Sequence, residues 1–199
     1  MSTSPAATAD SAPQPATASK GLALAVILAG TFMVVLDFFI VNVAIPSIQE
    51  SLHASVAAIQ LIVGGYGLAN AAGLILGGRL GDLFGRRRAF AWGLALFTLT
   101  SAACGFAPNI EVLVAARILQ GLAGALLQPQ VLAMISTLYS GPDRARAFAW
   151  YGMVLGGAAV GGQLIGKSDR TDPENAVGEL HRAYSLLWLQ AGSLIRDEK

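Results

Sequence analysis

The sequence predicts an all-α integral membrane protein of about five transmembrane helices, and three observations carry that prediction. Of its 199 residues, 54% are hydrophobic and only 13% charged, too apolar for an ordinary soluble domain. Apolar runs recur that approach the roughly 20 residues needed to cross hydrocarbon as a helix. The basic residues gather on alternate connections between those runs. A formal net charge of +1 gives no global excess that would select nucleic acid, so each base matters through its position.

Residues 1–19, rich in Ser, Thr, Ala and Pro, contain nothing apolar enough to bury and read as a disordered leader. The first span, 21–45, is too long for the apolar core of a cleaved signal peptide and is expected to remain as an anchor. Asp37 lies in its middle. A carboxylate there costs roughly 2.5–3.5 kcal/mol on insertion scales, so it is expected to face a cavity or a partner, the alternative being a residue that snorkels to the interface. A carboxyl group shielded from water exchanges its proton according to its surroundings, the property that proton coupling needs.

The second span covers 56–77, and the loop GGRLGDLFGRRRAF follows at residues 77–90. Gly78, Asp82, Gly85, Arg86, Arg87 and Arg88 set glycines for a sharp turn or close helix approach beside an acid and a base four residues apart. Such a loop can be a topogenic anchor alone or a latch as well. The third span, 89–107, carries the single cysteine, Cys104, which has no partner for a disulfide or metal site and is expected to pack. In the fourth, 112–138, Arg117 cannot readily lose its proton, so burial demands a carboxylate, carbonyls or water unless it reaches to the surface. Gln120 follows one turn on, and Gly121 with Gly124 leaves the backbone approachable. The fifth span, 147–166, is paced by glycines that let helices pack backbone to backbone.

Residues 167–199 are abruptly polar, and the apolar piece from Ala183 to Ile195 is too short to span, so an interfacial amphipathic segment is expected there. Short connections imply antiparallel neighbours. Lys20, Arg79, Arg86, Arg87, Arg88, Arg144 and Arg146 then fall on one side, which places the amino terminus in the cytoplasm.

The loop from Gly78 to Arg88 resembles the signature between the second and third helices of the major facilitator superfamily. That resemblance implies that Asp82 and Arg86 belong to a cytoplasmic charge network that breaks when a transporter switches conformation. The segment LDFFIVNVAIP is similar to the first-helix motif of the fourteen-helix drug:proton antiporter branch, with Asp37, Asn42, Ala44 and Pro46 matching. Phe39 stands where threonine is frequent, so a polar contact near the carboxylate is expected to be lacking. Leu113, Arg117, Gln120, Gly121 and Ala125 match the fourth-helix motif associated with proton coupling. Gly157, Gly161 and Gly162 match the antiporter motif of the fifth helix, with Ala158 in place of its proline.

The resemblance covers roughly residues 20–166, most of the first six-helix bundle of such a transporter. It implies a truncated or frameshifted proton-coupled multidrug efflux transporter of the plasma (inner) membrane, not competent alone because its carboxy-terminal bundle is missing. Small amphipathic or cationic drug-like compounds would be its substrates and the proton gradient its energy source, with antibiotic resistance as the outcome. Two alternatives are a non-transporting membrane interaction protein docking through its fifth helix, and a transporter of another small solute. His53 and His181 lack neighbours spaced as metal ligands, and no phosphate-binding glycine loop precedes a lysine, so no metal, cofactor or enzymatic chemistry is expected.

Overall fold

The computed structural model describes residues 17–168. The reading of 1–19 as a leader falls mostly outside them, and that of the polar tail almost entirely. Five helices follow one another: α1 (Thr17–Leu52), α2 (Val56–Phe84), α3 (Arg86–Gly105), α4 (Ile110–Leu138) and α5 (Gly141–Ser168). Among the described residues, Lys20–Leu52, Val56–Phe84 and Ile110–Leu138 are long and apolar enough to cross a membrane by length and composition. With about 1.5 Å of rise per residue, the 29 residues of α2 and of α4 exceed the hydrocarbon thickness and project beyond it.

Local chemistry sets the helix boundaries. Ser55 accepts a hydrogen bond from the Ala58 amide and starts α2; Asn109 accepts one from the Val112 amide and starts α4. Glu111 in the first turn of α4 complements the helix dipole. Between α2 and α3 the expected glycine loop contracts to a single residue, Gly85, whose φ of 89° suits glycine and stops one helix before the next begins. Gly78 and Gly81 are therefore helical and do not turn the chain; a β-carbon at Gly81 would meet the Gln130 side chain of α4, whereas one at Gly78 would make only ordinary contact with Pro129.

The long helices α2 and α4 lie against each other, α3 packs on α4, and α1 pairs with α5. A β-carbon at Gly77 would meet the Ala125 carbonyl. Pro129 lacks the N–H that would bond that carbonyl within α4, so the glycine backbone approaches an acceptor that the helix leaves free. Gln130 Nε2 donates to the Gly77 carbonyl at 2.7 Å, adding a polar link between the same helices. At the end of α4, Tyr139 Oη donates to the Lys20 carbonyl of α1 at 2.9 Å.

Two apolar clusters form the interior. One joins Ile27, Val34, Phe90, Phe97, Leu127 and Ile135; the other gathers Ile59, Ile62 and Leu113, with Val41 and Ile45 against them. The outer surface is apolar too, with Leu68, Ile75, Leu83, Trp92, Leu99 and Val160 all more than half exposed. Such a surface suits lipid rather than water.

Candidate functional site

Between the two apolar clusters lies a buried polar one. Asp37 comes from the middle of α1, Ser101 from α3, and Arg117 and Gln120 from consecutive turns of α4. Their exposures are 3%, 7%, 1% and 0%. Arg117 Nη1 donates to Asp37 Oδ2 at 2.8 Å and to Gln120 Oε1 at 2.6 Å. Gln120 Nε2 donates to Asp37 Oδ1 at 2.9 Å, and Ser101 Oγ donates to the same oxygen at 3.1 Å. The amide of Gln120 thus turns its oxygen to the cation and its nitrogen to the anion, closing a ring of three side chains.

The spacing of Arg117 and Gln120 explains the geometry: residues three apart on a helix share a face, so both meet the carboxylate across α1. A buried ion pair seldom adds net stability compared with an apolar replacement, whereas deleting one partner costs about 3–5 kcal/mol. A cluster of this kind holds a charge that can be moved or neutralised.

Ser101 was not singled out by the sequence, and it supplies the hydroxyl that Phe39 could not. Phe39 packs its Cβ against Gly162 of α5, so the polar contact to the carboxylate arrives from α3 instead. Cys104, expected only to pack, also brings its Sγ within 3.7 Å of Gln120 Oε1. Tyr66 of α2 was missed as well; its ring centroid lies 4.3 Å from Arg117 Cζ. Nothing in the spacing of the α2 and α3 residues marks Tyr66 or Ser101, because both are brought in by packing.

The remaining candidate residues lie elsewhere. Asp82 and Arg86 pair at 2.6 Å across the Gly85 break, with side chains 62% and 37% exposed, so the bond ties the end of α2 to the start of α3 in a polar setting. Arg87 and Arg88 are also exposed. Gly78 lies 3.9 Å from Pro129 measured from an added β-carbon. The three glycines of the α5 motif, Gly157, Gly161 and Gly162, do not act alike. Gly162 packs on Phe39, while Gly157 and Gly161 have nothing within 4 Å of an added β-carbon. Ala158, at the proline position, is fully buried.

A model of the Major Facilitator Superfamily matches residues 27–168. The chain is 47% identical over 144 residues to a puromycin resistance protein of Streptomyces alboniger, covering 72% of this chain and 29% of that one. It is 42% identical over 143 residues to a tetracenomycin C resistance and export protein of Streptomyces glaucescens, covering 72% and 27%. The chain thus spans under a third of the length of these relatives. A crystal structure of a peptide transporter superposes with a TM-score of 0.77 at 19% identity, over 92% of this chain and 39% of the other, and shares the fold.

Proposed function

The chain belongs to the major facilitator superfamily, and from that premise we propose that it forms part of a proton-coupled exporter of small amphipathic or cationic drug-like compounds. The buried cluster of Asp37, Arg117, Gln120 and Ser101 carries this reading. Asp37 is the proton-exchanging group. As a carboxylate it is held by donors from α3 and α4; on taking a proton it loses its attraction for Arg117, and α1 is freed to shift against α4. Gln120 bridges acid and base, and so couples the position of the arginine to the state of the acid. No cofactor is needed, because the proton gradient supplies the energy.

Alternating access in such transporters takes two bundles rocking about a central path, and the described helices make up most of one. Gly152, Gly156, Gly157 and Gly161 offer open backbone on α5, the surface on which the second bundle packs closely. Asp82 and Arg86 act at the cytoplasmic end as an exchangeable latch, with the amino terminus on the same side. A puromycin resistance protein and a tetracenomycin C resistance and export protein among the relatives support antibiotic-like cargo.

The test replaces the matching segment of the puromycin resistance protein with residues 20–166 of this chain and follows puromycin export from cells under an imposed proton gradient. The chimera should export, and its Asp37→Asn form should lose gradient-driven export while remaining in the membrane. Gradient-driven export that survives Asp37→Asn would refute the assignment.

A further inference from the structure

The hydrogen bonds to Asp37 and Gln120 engage Arg117 Nη1, yet Arg117 Nε is buried with no hydrogen-bond acceptor among the described residues. What faces the guanidinium instead is the ring of Tyr66, with Cζ 4.3 Å from its centroid, well inside the roughly 6 Å reach of a cation–π contact. Tyr66 is 5% exposed, so little water weakens that contact.

The ring is held there by backbone packing. A β-carbon at Gly121 would meet the Tyr66 carbonyl, so α4 can approach α2 at this level only because residue 121 is glycine. One turn on, Gly124 leaves room for Asn70 Nδ2 and the Tyr66 hydroxyl, which lie 2.9 and 3.4 Å from where its β-carbon would be. On its other side Tyr66 meets Phe38, the neighbour of Asp37, with centroids 6.0 Å apart. The ring therefore touches the base of the pair directly and the helix that bears the acid through one residue.

An arginine retains its charge whatever happens to its partner. When Asp37 is neutral, the guanidinium remains a cation in a dry interior and needs another electron-rich surface. We propose that Tyr66 is the positioning residue for Arg117: its ring keeps the guanidinium on α2 while Asp37 is protonated, so that the ion pair re-forms in place when the proton leaves. The functional part of this statement rests on the proton-coupled reading above; the contact itself does not.

The experiment is a double-mutant cycle on the full chain, following its unfolding equilibrium in mixed micelles titrated with a denaturing detergent. Tyr66→Leu is compared in an Asp37→Asn background, where Arg117 has lost its anion, and in Asp37→Asn/Arg117→Met, where the cation is gone too. Its effect on the equilibrium constant should be about 2- to 30-fold larger with Arg117 present, the range that a guanidinium–ring contact spans. Tyr66→Phe, which keeps the ring, should restore most of the loss. Equal effects in the two backgrounds would overturn the proposal, as would a Tyr66→Phe form as damaged as Tyr66→Leu.

The same substitutions in the puromycin chimera supply a second readout that also serves if a background does not fold. Tyr66→Leu should displace the pH dependence of export while Tyr66→Phe leaves it in place; a profile unmoved by either counts against the proposal. If Asp37→Asn retains gradient-driven export while the cycle shows coupling, the proton assignment fails and the ring contact stands. The reverse pair of results removes the positioning role alone.

Discussion

Gly121→Ala is the substitution whose consequence follows most directly from the packing. The added methyl would meet the Tyr66 carbonyl, and would lie 3.2 Å from both Ala69 Cβ and the Asn70 amide nitrogen. Two of these three neighbours are backbone, so no side chain can swing aside and α2 must retreat from α4. Restoring ordinary contact with the carbonyl takes about 1 Å, which forfeits roughly a quarter to a half of the dispersion well for each atom pair along the seam. Overpacking of this kind costs about 1–3 kcal/mol, and the rigid neighbours place Gly121→Ala at about 2–3 kcal/mol, or about 30- to 150-fold in the unfolding equilibrium. Gly152→Ala provides the control, because nothing lies within 4 Å of its added methyl. Both variants would be unfolded in mixed micelles under identical conditions, with Gly152→Ala expected to match the parent or exceed it by up to about 1 kcal/mol, because alanine is the better helix former. A Gly121→Ala protein no less stable than Gly152→Ala would refute the account of the α2–α4 seam, and with it the reason Tyr66 reaches Arg117.

Ser101→Ala removes a buried donor to Asp37 Oδ1 and should cost about 1–3 kcal/mol by the same assay, with Ser101→Thr largely sparing the loss; an unchanged midpoint for Ser101→Ala would show that the hydroxyl does not hold the carboxylate. Asp82→Asn breaks an exposed pair, and should alter stability by no more than about 1 kcal/mol, an effect that shrinks as salt is raised. A larger, salt-insensitive loss would mean that the bond is shielded. In the puromycin chimera, by contrast, charge reversal at Asp82 is expected to impair export, and export at the parental rate would sink its role as a latch.

How much was legible in the sequence differs between the site and its surroundings. A carboxylate and a guanidinium set deep in apolar runs have few acceptable environments, so Asp37 and Arg117 each stood out in the sequence as needing a partner or water, and it was the packing of α1 and α4 that made each the partner of the other. Their separation of 80 residues in the chain did not hide them. Ser101 and Tyr66 carried no such mark, since a serine or a tyrosine in a membrane helix is satisfied in many ways. The glycines were visible as small residues, but their tasks were not. Gly85 turns the chain, Gly77, Gly81 and Gly121 admit α4 to α2, Gly162 seats Phe39, and Gly157 and Gly161 meet nothing among the described residues.

What the sequence determined by itself was the class, the number and order of helices, and the two buried charges, because hydrocarbon length and the cost of desolvating an ion act on each segment separately. What only the tertiary structure decided was which face of each helix points inward. In a soluble bundle an apolar stripe answers that question, but here both faces of a helix are apolar: on α2, Ile62 is fully buried while Leu68 is largely exposed. The choice fell to shape, to glycines, to the free carbonyl before Pro129 and to the reach of Gln130, and from it came the ring and the hydroxyl that complete the site.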